Sequence, residues 1–387
     1  MVNPPRTDRP GILGAAIVPH APQFLTLPET EDKAQVARVN AAMRAIGDKF
    51  RALDPDLLIV LSNAHCDDMV VHCVPPFAIH CGTRAEGSGL HEGAWPIDGE
   101  AGYALLRQLL DLGFDPAFTL DAGLGTAFTI PLEFCGYPRE TPFLPIFVNA
   151  YVPPQPTPER CFAFGRALAQ AIEREGRRAV VLASGGLSHY PGTPRYPEPD
   201  IDTDRVIFER LASGNLRYLL SFDAAALDRT GNVECRSLQI LAGMIGDRKP
   251  DSALFEPSWH HIYAILGWTE LAPMKAEPLY YPATESERSE LARAIFAIVE
   301  DAAAHAAFNS DRDGYAARFD LDGEERAALV ALDREALRER FRINPMLLYQ
   351  LEARAKPRGK RLERDPRRRQ RSHTRHTGGE WALHRSP

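Results

Sequence analysis

Over about its first 270 residues the chain alternates short apolar runs with longer segments whose apolar residues recur at helical spacing. This alternation is typical of a sheet flanked by helices, since each element must bury one apolar face. It predicts an α/β fold with a mixed or parallel central sheet. The predicted strands are residues 12–18, 57–61, 69–74, 143–148, 179–183 and 262–268. The predicted helices are residues 31–53, 99–112, 158–174 and 235–245.

The rest of the chain is different in composition. Residues 271–284 are rich in proline and predict a linker that ends the α/β domain at residue 270. Residues 285–355 contain strong helix formers and predict a small all-helical module, which we expect to act as a lid. Residues 356–387 form a low-complexity basic tail, for which we expect disorder rather than a nucleic-acid or lipid partner.

Composition excludes several classes of function. The formal net charge is −7 even though the tail is strongly basic, so the body is acidic and argues against nucleic acid as the substrate. No apolar run approaches the ~20 residues that cross a bilayer, and the polar, proline-rich start does not resemble a signal peptide. The 6 cysteines are scattered without paired spacing, which argues against a disulfide or zinc framework. We therefore expect a reduced cytoplasmic protein without a membrane partner.

Four side chains that can bind a metal or move a proton each lie in a short polar break after an apolar run. They are His20 in IVPHAPQ, His65 in LSNAHCDD, His189 in ASGGLSHYPG and Glu234 in GNVECRSLQ. The three histidines follow predicted strands, and the carboxyl ends of neighbouring parallel strands open into one crevice. Two imidazoles and a carboxylate suit non-haem Fe(II), with positions left open for water, substrate and O2. One histidine then remains for proton transfer.

Other readings of the same residues are open. Most histidines in globular proteins are structural or lie on the surface, and Glu234 could simply stabilise the start of a helix. The same ligand types bind Zn2+ in metallohydrolases. A non-catalytic binding or scaffold protein is a further alternative. Cys66 and Cys235 adjoin two of the named residues, but we expect their side chains to point into the core rather than to bind metal.

The four residues carry a resemblance to the class III extradiol ring-cleavage dioxygenases, the family of protocatechuate 4,5-dioxygenase and gallate dioxygenase. The order His, His, His, Glu matches, with intervals of about 45, 124 and 45 residues. Two further segments resemble motifs of that family, WPIDGE at residues 95–100 and GLSH at residues 186–189. The resemblance covers residues 11 to about 270. The helical module weakly resembles the small subunit of the protocatechuate enzyme, fused behind the large one as in gallate dioxygenase.

The resemblance implies a role for each of these residues. His20, His65 and Glu234 would bind ferrous iron, Fe(2+), and His189 would be the acid–base residue. The protein would cleave the ring of a catechol-type substrate such as protocatechuate or gallate, with O2 as co-substrate. Aminophenols and dihydroxypyridines stay open as substrates, as does assembly into a homo-oligomer. Asn63 could orient a ligand or bind substrate.

The chain departs from the family pattern at one place. Members usually have Asp-His-Gly before a Pro-Leu segment, whereas this chain has Asp121-Ala122-Gly123. Alanine therefore replaces an imidazole that binds substrate in the family. Four other histidines could reach inward and take over its role: His80, His91, His260 and His261.

Overall fold

The computed structural model describes residues 10–63, 65, 73–121, 123–271, 281 and 286–355. The chain divides into two compact units, Met1–Pro273 and Met274–Pro387. Most of the predicted linker and the whole predicted tail at 356–387 lie outside the described residues. The proposed division into a catalytic domain and a lid remains a prediction.

The first unit is built on strands that form one large sheet and one hairpin. They are β1 (Gly11–Val18), β2 (Leu57–Ser62), β3 (Phe77–His80), β4 (Arg84–Gly87), β5 (Gly93–Pro96), β6 (Ala117–Thr119), β7 (Leu144–Val148), β8 (Arg178–Ser184), β9 (Ser252–Pro257) and β10 (Ile262–Trp268). The eight-stranded sheet has the order β6-β3-β7-β2-β8-β1-β10-β9, and β4 pairs with β5 separately. Its centre, β7-β2-β8-β1, is parallel, whereas β10, β9 and β3 join by antiparallel pairing.

Helices cover both faces of this sheet. They are α1 (Gln23–Thr26), α2 (Lys33–Ala52), α3 (Gly99–Asp111), α4 (Thr126–Phe134), α5 (Pro158–Arg174), α6 (Ile201–Ala212), α7 (Ala224–Arg229) and α8 (Cys235–Ile245), with short 3-10 turns at Gly89–His91 and Leu216–Ser221. Side chains alternate across a strand, so Ile59 and Leu61 pack with α3, α5 and α8 on one face. Leu58 and Val60 pack with α2 and α4 on the other. A parallel centre buried on both faces explains why its strands are continuous apolar runs.

The second unit is all-helical in its described part. It contains α9 (Ser289–Glu300), α10 (Ala302–Ser310), α11 (Arg312–Ala316), α12 (Gly323–Ala331), α13 (Pro345–Ala355), a 3-10 turn at Ser286–Arg288 and a π-helical turn at Ala336–Arg340. Asp322 and Glu325 form a reciprocal capping box that begins α12. Leu291, Ile295 and Phe308 are among the residues of its own apolar core. No described helix of either unit is long and apolar enough to cross a membrane.

The predicted α/β class is confirmed, including the mostly parallel sheet. Strands predicted at 12–18, 57–61, 143–148, 179–183 and 262–268 are all present. The strand predicted at 69–74 falls largely on residues outside the described ranges. The prediction missed five strands of 3 to 6 residues: β6 and β9 at the two sheet edges, β4 and β5 in the hairpin, and β3, a buried strand between β6 and β7. Short edge strands lack a long apolar run because one side remains exposed.

Candidate metal centre

The order of the sheet brings the four predicted residues to one edge. His20 follows β1, His65 follows β2 and His189 follows β8, while Glu234 directly precedes α8. Strand β8 lies between β1 and β2 and runs parallel to both, with Val18 opposite Ser184. The three strand ends therefore meet at the carboxyl edge of the parallel centre, where open α/β sheets hold their sites.

Two of these imidazoles converge on one carboxylate oxygen of Glu234. Nε2 of His65 lies 2.8 Å from Oε1 of Glu234, and Nε2 of His20 lies 3.4 Å from the same oxygen. The two imidazole nitrogens are 2.9 Å apart. The side chains of His20 and Glu234 are buried, whereas that of His65 is 30% exposed. We call His20, His65 and Glu234 the ligand cluster.

The hydrogen bonds of His20 determine which of its ring nitrogens carries the proton. Nδ1 of His20 lies 2.9 Å from Oγ of Ser184, and that hydroxyl donates its proton to the carbonyl of Ala127 at 2.5 Å. Since a serine has one proton to donate, Oγ must accept from His20 Nδ1–H. Nε2 of a neutral His20 then carries a lone pair, which is directed into the ligand cluster. Such a partner on the distal nitrogen is the usual way in which a metal-binding histidine is oriented.

Glu234 occupies the N-cap position of α8, but its side chain makes no cap hydrogen bond. Its Oε2 instead accepts from the backbone N–H of Gly186 at 3.0 Å, which leaves Oε1 for the ligand cluster. Burial alone raises the pKa of Glu234, but the neighbouring imidazoles of His20, His189 and His65 outweigh it and hold the pKa well below its usual range. The carboxylate is therefore ionised at neutral pH, as a metal ligand must be.

The close approach of Gly186 depends on its missing side chain. A Cβ at this position would lie 1.6 Å from Nε2 of His261, which is a buried residue. Only glycine lets the backbone lie against His261 and donate to Glu234 at the same time.

His189 lies beside the ligand cluster and is buried. Its Nε2 is 3.5 Å from Oε1 of Glu234, and its ring stacks on that of His261 at 4.5 Å. Burial lowers the pKa of His189 to about 4; Glu234 opposes this shift, and His65 and His20 add to it. The imidazole is thus neutral at pH 7.

The donor set fits a divalent cation. Metal ligands of this kind lie about 2.1 Å from the ion. When the donor–ion–donor angle is a right angle, two such donor atoms are about 3.0 Å apart, which is close to the separations within the ligand cluster. All three donor atoms lie within 4.8 Å of one another. In the metal-free protein one proton on His65 Nε2 can serve the neighbouring nitrogen and carboxylate, and metal binding would release it.

Two residues of the site were missed by the sequence reasoning. The hydroxyl of Tyr151 donates to Oε1 of Glu234 at 3.0 Å and lies 3.1 Å from Nε2 of His189. Tyr151 belongs to a proline-rich loop with no periodicity to indicate it. Ser184, at the end of β8, orients His20 as described above. The serine at the end of an apolar run was the signal that could have indicated it.

The other histidines considered from the sequence have separate surroundings. His91 contacts Thr129 and Glu133, and the ring nearest to His80 is that of Phe128, 6.3 Å away. Of these histidines, His261 lies next to the site, because its ring stacks on that of His189. Ala122 and Cys66 lie outside the described residues. Cys235 is buried beside Asn232, as expected, and is not part of the ligand cluster.

His260 belongs to a second group of polar side chains, which we call the Glu31 cluster. Oε1 of Glu31 lies 3.0 Å from both Nε1 of Trp259 and Nε2 of His260, and Oε2 accepts from the Tyr263 hydroxyl at 3.4 Å. Nδ1 of His260 lies 3.1 Å from the hydroxyl of Tyr196. Each donor in this cluster has an acceptor.

The fold and the ligand cluster together have the features of an α/β protein with a two-histidine, one-carboxylate metal site. The model of one protein family, described as the catalytic LigB subunit of aromatic ring-opening dioxygenase, matches residues 14–265. The match includes all four residues of the site and almost the whole sheet. The chain therefore belongs to this family, and the resemblance found from the sequence is confirmed.

Curated relatives point to the same family. The chain is similar to the 2,3-dihydroxyphenylpropionate/2,3-dihydroxicinnamic acid 1,2-dioxygenase of Cupriavidus necator, with 30% identity over 192 residues, 48% of this chain and 58% of the relative. It is similar to the enzyme of that name from Burkholderia vietnamiensis, with 31% identity over 197 residues, 49% of this chain and 60% of the relative. The chain thus matches little more than half the length of these relatives. A solved structure of an uncharacterized protein from Escherichia coli K12 covers 65% of this chain and 98% of its own, at 14% identity and a TM-score of 0.42.

Proposed function

We propose that the protein is an extradiol dioxygenase that opens the ring of a catechol-type substrate with O2 and Fe(II). The observation that carries this proposal is the convergence of His20 Nε2, His65 Nε2 and Glu234 Oε1, with a neutral histidine beside them. Membership of the ring-opening dioxygenase family and the printed activity of the similar bacterial proteins support it. When bound, ferrous iron would mediate the transfer of electrons from the substrate, which is oxidised, to O2, which is reduced.

The residues of the chain have separate tasks in this proposal. His20, His65 and Glu234 hold the cation, and Ser184 and the Gly186 N–H keep two of these side chains oriented. His189 can accept a proton from a substrate hydroxyl and later return it, because a neutral imidazole has one N–H and one lone pair. Such proton transfer contributes on the order of 10²–10⁴-fold to the rate.

Asn63 has a buried amide group that a ligand could hydrogen-bond. It is fully buried directly after β2, and within the part of the chain that the structure describes neither its amide oxygen nor its amide nitrogen has a hydrogen-bond partner. Leaving such a group unpaired costs about 1–3 kcal/mol, so a bound substrate or water that pairs with it would recover that free energy. We propose that Asn63 binds substrate.

The proposal is tested by O2 uptake after anaerobic reconstitution with Fe(II), using catechol, protocatechuate, gallate and 2,3-dihydroxyphenylpropionate as a panel. Ring opening of at least one of them, seen as a stoichiometric loss of O2 and a new semialdehyde or carboxylic acid, is the expected result. Activity of Zn2+-loaded protein on a hydrolysable substrate without O2 uptake would favour the metallohydrolase instead. Iron binding without any reaction across the panel would favour a non-catalytic protein.

A further inference from the structure

Tyr151 contacts both the metal-binding carboxylate and the acid–base histidine. Its hydroxyl lies 3.0 Å from Oε1 of Glu234 and 3.1 Å from Nε2 of His189. Oε1 is also the oxygen that faces His65 at 2.8 Å. The phenol thus approaches the centre of the site as closely as a metal ligand does.

The loop that carries Tyr151 is fixed by bonds from both sides. Asn149 donates to the carbonyl of Val152 at 2.6 Å and accepts from its N–H at 3.0 Å, which holds the loop around residue 151. Arg236, in the first turn of α8, donates to the carbonyls of Ala150 and Pro156 at 3.4 and 3.2 Å. Because Glu234 directly precedes the same helix, one framework holds the carboxylate and the phenol together.

The hydrogen-bond chemistry of these groups allows one assignment. The Tyr151 hydroxyl donates to Oε1 of Glu234, because a carboxylate oxygen is the acceptor of that pair. The phenol oxygen also lies 3.1 Å from Nε2 of His189 and therefore fixes the position of that ring nitrogen. The face of the His189 ring packs on His261 at 4.5 Å, so the imidazole is held both at its edge and at its face.

We infer that Tyr151 is a positioning residue of the proposed dioxygenase, which orients Glu234 for the cation and holds the imidazole of His189 beside it. The role of Tyr151 in catalysis rests on the proposed function, whereas its hydrogen bond to Glu234 does not. Outer partners of metal ligands affect metal affinity or activity by about 10–100-fold. Tyr151 acts on two of the four functional side chains at once.

The test compares full-length wild type with Tyr151→Phe, which removes only the hydroxyl. Tyr190→Phe is the matched control. The Tyr190 hydroxyl also makes a partly buried hydrogen bond, to the carbonyl of Arg229 at 3.0 Å, but that bond lies outside the ligand cluster. Anaerobic titration with Fe(II) against a competing chelator should show an affinity about 10-fold or more lower for Tyr151→Phe and unchanged for Tyr190→Phe. In the active enzyme kcat should fall by about 10–100-fold with little change in KM.

The second measurement is the ¹⁵N spectrum of the histidine side chains in the metal-free proteins, with the His189 signals assigned by their loss in His189→Ala. The ring-nitrogen signals of His189 should move in Tyr151→Phe but not in Tyr190→Phe. Equal Fe(II) affinity together with equal His189 signals in both variants overturns the inference. Should Tyr151→Phe not fold, the lack of a nuclear Overhauser contact between the Tyr151 and His189 rings in wild type overturns it alone. Failure of wild type to bind Fe(II) would remove the proposed function, whereas the metal-free spectra would still decide the bonds of Tyr151.

Discussion

The first unit contains two clusters built from the same residue types, a histidine beside a carboxylate with tyrosine hydroxyls around them, yet they have opposite chemical character. In the Glu31 cluster Trp259, His260 and Tyr263 all direct protons at Glu31, so every donor is used. In the ligand cluster the bond from His20 to Ser184 leaves a lone pair pointing at the carboxylate. The comparison shows that residue composition does not distinguish a metal site from a structural network. The direction in which the N–H and O–H groups point does distinguish them.

The largest expected effect separates the two clusters by metal binding. Glu234→Gln removes the anionic donor and should lower Fe(II) affinity by more than about 100-fold, beyond the range of an outer partner. Glu31→Gln should keep wild-type affinity because Glu31 already accepts three protons within its own cluster. Metal content after anaerobic loading and gel filtration measures both. Full iron in Glu234→Gln, or in His20→Ala, would refute the ligand assignment.

The next effect separates ligation from proton transfer within the site. His189→Ala should retain iron, since its Nε2 is further from Glu234 than that of His65. Its turnover should fall by about 10²–10⁴-fold. Iron analysis and O2 uptake on the same preparation provide the measurement. Loss of iron in parallel with activity would make His189 a ligand instead.

The Glu31 cluster should matter for stability rather than for chemistry. Glu31→Gln replaces a buried acceptor with an amide whose N–H2 faces other donors, and hydrogen bonds to a charged group are worth about 1.5–3 kcal/mol. We expect the free energy of unfolding to fall by about 2–4 kcal/mol in urea titrations of the metal-free protein. A stability equal to wild type would show that the cluster is not held by this carboxylate.

The smallest effect concerns His80, a buried imidazole outside both clusters. Burial lowers its pKa to about 4, while the unfolded chain keeps a value near 6.5. Below pH 6.5 the unfolded state binds more protons, so this contribution to stability is lost as the pH falls from about 6.5 to 4. His80→Gln should therefore lose less stability over this interval than wild type, by on the order of 1–3 kcal/mol. Parallel pH profiles from urea unfolding would argue that His80 is protonated equally in both states.

The sequence predicted the parallel centre and indicated the three candidate histidines at its strand ends for one physical reason. A strand buried on both faces must be apolar along its length, so its end is marked by the first polar residue, as at His20. Helix α4 was missed because Pro131 lies inside it, and β9 because its side chains are only half-buried. Tyr151 could not be assigned because its position depends on bonds from Arg236, 85 positions further along the chain. Contacts of that range leave no local pattern.

The absence of a side chain at residue 186 has a consequence for how this protein can be altered. Any larger residue would collide with the imidazole at 261 or push away the amide that fixes the carboxylate at 234. Libraries that aim to change substrate preference should therefore keep this codon constant and diversify surrounding positions. In a collection of randomised variants screened for iron retention, glycine should be the amino acid that survives there.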